Sequence, residues 1–354
     1  MNENELLYNV IKEAAKIQLP VEKLKARLTG NPQQDRRIVF SAVREMNNHE
    51  YSELVIKKIR EEVYGECFTY EELQQFSFVS RTTNYINNLL GETHKLMQIG
   101  KLTEAIQKLD EFIYSTPFLF QETDFVEYHN FSNPLEETLF FKDFNPEKEV
   151  MPIPNDQQYF ALYYIYGALL FQFQRYGEAA YFLELASSLN PVLSTIYFER
   201  AEIFKLKKNF KPFFKYTNDA LKYATSSQLL ARGYRNLGFY YIEKDNLELA
   251  TALFKFSLIF ENNDMAYSEL NYIESLGYNT SQVDNDFIRI LNKYDIQMGP
   301  SELVFDTLIE LIRKAQEENN ISEVLSLYSI LYDLTKDEDI KKTINQIRNG
   351  MWKF

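Results

Sequence analysis

Apolar residues along the chain recur at intervals of three and four, and almost no stretch alternates apolar with polar for more than a few residues. That period matches the 3.6-residue turn of an α-helix rather than the two-residue repeat of a strand, so the pattern predicts helix after helix. Breaks near Pro20, near Gly30 and Pro32, and around Gly65 divide the segment 1–80 into about four helices. They read as an N-terminal cap or as degenerate helical hairpins.

Self-similarity orders the rest. The segment 160–191 aligns with the segment 231–262, pairing Tyr163 with Tyr234, Gly167 with Gly238, Leu170 with Tyr241, Ala179 with Ala250 and Leu183 with Phe254, all at one constant offset. Tyr197, Ala201, Phe204 and Ala220 stand between, at a second constant offset from Tyr163, Gly167, Leu170 and Ala186, so the interval divides into two nearly equal parts. A unit of about 34 residues built from two helices is a repeat that cannot bury its apolar face alone and must stack on its neighbours. A lone Gly inside a helix costs about 1 kcal/mol relative to Ala, so glycines at equivalent positions imply a packing reason. Gly167 and Gly238 are expected where the two helices of a hairpin approach closely, with Ala179 and Ala250 facing them, and Pro191 is expected to end the second helix.

The succession Tyr163, Tyr166, Gly167, Leu170, Ala179, Leu183, Ala186 and Pro191 resembles the tetratricopeptide-repeat (TPR) family. The resemblance implies an all-α fold, an α-solenoid of helix-turn-helix repeats wound into a right-handed superhelix. Weaker copies flank the centre. The segment 86–117 keeps Leu89, Leu96, Gly100, Ala105, Leu109 and Pro117 with Thr93 in place of the crossing Gly, and the segments 265–298 and 305–338 keep mainly the apolar spacing. The expected organisation is a helical cap over 1–80, a repeat over 81–117, an insertion over 118–159, core repeats over 160–262, and degenerate repeats with a capping helix over 263–354.

The insertion is rich in Phe and Tyr and carries nine acids against two lysines. Asn133-Pro134 and Asn145-Pro146 bracket a helix predicted over 135–143. Two placements stand side by side. In one, the insertion is an extra hairpin. In the other it folds back as a built-in competitor, with Phe140, Phe141 and Phe144 on the repeats and Glu136 or Asp143 beside Arg232 and Arg235.

Composition narrows the function classes. With 45% hydrophobic and 25% charged residues, and only eleven Gly and ten Pro, the 354-residue chain is expected to fold rather than stay disordered. A net charge of −13 works against generic attraction to nucleic acid or an anionic membrane. A helix-turn-helix DNA reader within 1–80, as peptide-sensing regulators of the same superfamily carry, meets the same objection, since eleven Lys and Arg there oppose thirteen Asp and Glu. One cysteine, an acidic start and no long apolar run make a cytoplasmic location the expectation, and leave the Asn-x-Ser triplets at Asn130, Asn279 and Asn320 as chance matches.

No catalytic constellation is expected. His49, His94 and His129 belong to no metal-ligand spacing, no Gly-rich phosphate loop or nucleophile elbow occurs, and adjacent acids such as Glu71 and Glu72 point to different helix faces. Neither a cofactor nor a metal is called for. What remains is recognition. The family's first helices line a concave wall, which carries over to Tyr164, Phe171, Phe198, Lys205, Arg232, Arg235, Phe239 and Ile242. Aromatic platforms with a cationic patch suit a protein or peptide partner bearing carboxylates, unless the arginines pair with acids of the same chain. Tyr164 and Ala168, then Phe198 and Glu202, stand where chaperone-tail clamps have Lys and Asn, which argues against such a tail. Lys205, Lys207, Lys208, Lys211 and Lys215 form a second basic feature at a hairpin tip, with Pro212 in the first turn of its second helix. The expected function is a non-catalytic protein-protein interaction scaffold, and the alternative is a peptide-sensing regulator whose repeats rearrange on binding.

Overall fold

The structure is a computed structural model that describes residues 3–74, 85–117, 120, 123–154 and 158–349, with side chains from Ile11 onward. It is mostly helical. Contacts divide the chain into two compact units, one of residues 1–132 and 146–191, the other of residues 133–145 and 192–354. The division falls inside the 160–262 segment, directly after Pro191.

The first unit contains α1 (Glu3–Lys25), α2 (Pro32–Glu45), α3 (Ser52–Glu62), α4 (Tyr85–Gln98), α5 (Leu102–Ser115), α7 (Tyr159–Gln172) and α8 (Tyr176–Leu189). It also holds β1 (Val126–His129) and β2 (Glu149–Pro152), a two-stranded parallel pair in which Val126 faces Glu149 and His129 faces Pro152. The second unit contains α6 (Pro134–Phe144), α9 (Ser194–Leu206), α10 (Phe210–Lys222), α11 (Ser227–Ile242), α12 (Leu247–Phe260), α13 (Asp264–Ser275), the short α14 (Phe287–Lys293), α15 (Glu302–Glu317), α16 (Ile321–Thr335) and α17 (Glu338–Arg348).

Helix boundaries follow local chemistry. Asn31, Asn133, Ser226, Asn246, Asn263, Ser301 and Asn320 cap α2, α6, α11, α12, α13, α15 and α16, each side chain accepting a backbone N–H of the first turn. The predicted helix of the insertion is α6. Pro134 sits at its start, and Asn145, left-handed at φ 41°, ends it. The two strands on either side were not expected. The Asn-x-Ser triplets have structural uses, Asn320 as a cap, Asn279 as acceptor for the Ser281 N–H, and Asn130 buried with its amide donating to the Ile153 carbonyl at 3.2 Å.

Five helix pairs, α4–α5, α7–α8, α9–α10, α11–α12 and α15–α16, turn in the same way. In each, one residue takes a left-handed conformation: Gly100, Gln174, Lys208, Asp245 and Asn319, with φ between 52° and 76°. The next residue then donates its N–H to the carbonyl five positions back, at 2.9 Å in all five: Lys101 to Leu96, Arg175 to Leu170, Asn209 to Phe204, Asn246 to Tyr241 and Asn320 to Ala315. This is a Schellman closure, which satisfies a carbonyl left open at the helix end. Gln174, Lys208 and Asp245 are spaced as Gly167, Ala201 and Gly238 are, so the turns keep the register of the sequence repeat, and Gly100 and Asn319 stand equally far outside them.

The crossings inside the hairpins also repeat. A methyl added at Gly167 would lie 2.8 Å from Leu183 Cγ, and one at Gly238 would lie 2.8 Å from Phe254 Cε2. The neighbour is thus the large residue one turn beyond the expected alanine. Ala179 touches the site at Gly167 only through its carbonyl, at 3.4 Å. In the middle hairpin the equivalent pair is Ala201 and Thr217, both fully buried.

In the first unit α8 is the central helix, with every residue from Gly177 to Leu183 buried between α7 and α3. Gly177 lets α3 approach, since a methyl there would meet Ser52 Cβ at 2.6 Å. Around its first turn lies a buried ionic network. Arg175 donates to Glu178 at 2.6 and 2.8 Å and to Asp110 at 2.9 and 3.1 Å. Asp110 also accepts from Arg44 at 2.8 Å and from the Tyr166 hydroxyl in a short bond, and Glu178 accepts from Asn47 at 2.7 Å and the Tyr114 hydroxyl at 3.0 Å. Each buried carboxylate therefore has several donors, the condition under which buried charge is tolerable. Burial pushes the Tyr114 and Tyr166 hydroxyls well above the ordinary tyrosine range, so both act as proton donors. Burial likewise pushes the Cys67 thiol up to about 11.

Candidate partner-binding surface

Of the eight wall residues named from sequence, Tyr164 and Phe171 lie on α7 in the first unit and the other six on α9 and α11 in the second. Tyr164 and Phe171 are half-buried, and Phe171 packs edge-on against Tyr176 with ring centres 5.6 Å apart.

In the second unit α10 packs on α11, and α12 on α13, so hairpins follow one another and their first helices are α9, α11 and α13. Lys205 of α9 holds its ammonium 4.1 Å from the ring centre of Phe239 on α11, within cation–π range. Phe239 also meets Phe213 edge-on at 5.8 Å and Phe210 at 6.2 Å. Glu269 on α13 completes this neighbourhood. Burial pushes its carboxyl above the ordinary range, while the Lys205 charge works the other way. Ile242 is half-buried and packs against the cluster of Ala250, Phe254, Ala266, Leu270 and Ile273.

The two arginines are engaged within the chain. Arg232 donates to Glu199 at 2.9 Å and stacks 4.9 Å over the ring of Phe198, and Arg235 donates to Glu261 at 2.7 Å. Phe198 is fully buried and offers no platform. One turn beyond Arg232, the amide nitrogen of Asn236 is buried and has no hydrogen-bond partner among the described residues. Of the two readings of the arginines, the structure has the one in which they pair with acids of the same chain, and the exposed cations nearby are lysines. Lys207, Lys208 and Lys211 at the α9–α10 turn are exposed, with no ion pair among the described residues, and Lys215 lies 5.5 Å from the Tyr216 ring centre. Pro212 occupies the first turn of α10, as expected.

Among the described residues, the acids that pair with Arg232 and Arg235 are Glu199 and Glu261, not acids of α6. Asp143, at the end of α6, accepts from Lys222 at 2.6 Å and from the Tyr223 hydroxyl, and Lys142 pairs with Glu310 of α15 at 2.6 Å. Phe140 is buried against Phe144, whose ring centre is 5.2 Å away. Asn133-Pro134 and Asn145 fix where α6 starts and stops, and Asp143 in its last turn meets Lys222.

Sequence reasoning missed Glu199, Glu261, Glu269, Phe210 and Phe213. Glu199 and Glu261 stand far beyond any helical spacing from Arg232 and Arg235, so only the hairpin stacking brings each pair together. The histidines stay apart, His49 accepting the Tyr51 N–H, His94 bonded to Gln98 and His129 stacked on Phe131. Among the described residues no three His, Cys, Asp or Glu side chains converge as a metal site, and no helix is long and apolar enough to cross a membrane. The chain matches no protein-family model, and a search of curated proteins finds no match.

Proposed function

We propose that this protein is a non-catalytic, cytoplasmic scaffold of TPR-like repeats, and that the second unit binds an acidic segment of a partner polypeptide on the wall of α9 and α11. The second unit is read as a short α-solenoid of stacked hairpins with the handedness of the family it resembles. The observation that supports this most is Lys205 over Phe239, flanked by Phe210 and by lysines that no acid of the described chain neutralises. An aromatic platform supplies contact area and the ammonium groups supply charge complementarity, a combination found at interface hot spots. Arg232 and Arg235 hold the wall together rather than reach for the partner.

The test begins with the protein that co-purifies with the full chain from its own host. Lys205→Glu is expected to weaken that complex by about tenfold or more, with the helical circular dichroism retained. Retention of full affinity by both Lys205→Glu and Lys211→Glu would remove the site from this wall.

A further inference from the structure

Between α2 and α5 of the first unit lies a cleft of about 560 Å³. One wall is a single stripe of α2 at helical spacing, Gln33, Arg37, Phe40 and Arg44, and the other includes Glu111 and Tyr114 of α5. Phe40 and Tyr114 meet with ring centres 4.2 Å apart, and Arg44 lies 4.3 Å over Phe40. The charges of the cleft are unequally committed. Arg36 forms a two-pronged pair with Glu72 at 2.9 and 3.2 Å, and Asp110 is saturated by Arg175, Tyr166 and one nitrogen of Arg44. Arg37 on one wall and Glu111 on the other have no ion pair among the described residues, and Arg44 keeps further N–H donors free at a half-exposed position.

We propose that this cleft binds a zwitterion bearing an apolar or aromatic group, an amino acid or a short peptide with both ends free. Its carboxylate bonds to Arg37 with help from Arg44, its ammonium to Glu111, and its side chain lies beside Phe40, the partly exposed ring of the pair. Arginine suits the carboxylate because its planar fork offers two parallel donors. A plain anion would be repelled by Glu111 and a plain cation by Arg37. Only a ligand carrying both charges uses both walls.

Three probes share one ring and differ in charge: L-phenylalanine, 3-phenylpropionate, which lacks the amine, and 2-phenylethylamine, which lacks the carboxylate. Titrated into the full-length protein at low salt by calorimetry, L-phenylalanine is expected to bind saturably, and each truncated probe about two- to fivefold more weakly, the scale of one exposed ion pair. Arg37→Gln should make L-phenylalanine and 2-phenylethylamine bind alike, and Glu111→Gln should do so for L-phenylalanine and 3-phenylpropionate. Both residues are exposed, so the helical circular dichroism should not change. Phenylalanylglycine, whose charges stand farther apart, separates the two sources, the tighter of it and L-phenylalanine being the ligand class. Saturable binding of none of the probes, equal binding of all three, or tightest binding by 3-phenylpropionate would each overturn the proposal.

Discussion

A methyl group added to Gly238 would lie 2.8 Å from Cε2 of Phe254, and Gly167, its counterpart in an earlier hairpin, stands in the same relation to Leu183. Gly238→Leu and Gly167→Leu are therefore expected to lower stability by about 1–3 kcal/mol through overpacking, read as a shift in the urea midpoint. Gly91 is the control. It lies inside α4 with nothing within 4 Å of an added methyl, so Gly91→Ala should raise stability by about 0.5–1 kcal/mol. Opposite signs at these sites would show that the hairpin crossing, not helix propensity, keeps the repeat glycines.

The shared turn gives a second prediction. Lys208, at φ 52°, holds a left-handed conformation that disfavours a side chain bearing Cβ, whereas Gly100 meets the same demand without one. Lys208→Gly should stabilise the protein by up to about 1 kcal/mol, and Gly100→Ala should destabilise it by about as much, in thermal melts.

These turns mark how far the sequence could be read. The apolar period and the shared register of Gly167 with Gly238 expose the hairpins because packing restricts the residue type at a crossing. The turn positions hide because a Schellman closure constrains backbone conformation alone, and Gly, Gln, Lys, Asp and Asn all satisfy it here. The wall was legible in part. Lys205 and Phe239 follow from the family resemblance, and the structure brings the two together. The pairing of Arg232 with Glu199 and of Arg235 with Glu261 depends on how hairpins stack, and short-range spacing carries no record of that. The parallel pair of β1 and β2 escaped because four-residue strands are too short to show alternation.

Asp333 supplies a test by pH. Burial alone would raise its pKa, but it accepts from the Ser227 N–H at 2.7 Å, the Ser227 hydroxyl at 2.8 Å and Lys336 at 2.9 Å, and the balance holds it below the ordinary aspartate value. A depressed folded-state pKa adds stability above the unfolded value of about 3.9, and that stability is lost as the pH falls through the folded value. Asp333→Asn should thus melt lower than the parent at pH 7, and the gap should close on acidification below pH 4. A gap independent of pH would mean that the carboxylate charge is not what ties α16 to the start of α11.

The network around Arg175 makes a stronger claim. Glu178→Ala leaves the Arg175 guanidinium and the Tyr114 hydroxyl without their shared acceptor in a buried setting. Breaking such a pair from one side is expected to cost about 3–5 kcal/mol, measured by denaturant unfolding. A loss below about 1 kcal/mol, the scale of an exposed pair, would mean that water replaces the carboxylate.

The insertion offers the last test, because its two possible roles predict opposite results. Phe140 is buried in the second unit, and Asp143 is tied to Lys222 and Tyr223 near the surface. Phe140→Ala should therefore destabilise the protein by about 3–5 kcal/mol, the range for truncating a core aromatic. Asp143→Ala removes a partly exposed ion pair and a hydrogen bond, so its effect should stay near about 1 kcal/mol. Neither change should tighten partner binding, because Asp143 is held by Lys222 and Tyr223 rather than by a residue of the proposed wall. A competitor would behave in the reverse way, with little change in melting temperature and a rise in affinity as its contacts are removed. Tighter binding by Asp143→Ala at unchanged stability would restore the competitor and displace the account of α6 as a helix docked through Phe140.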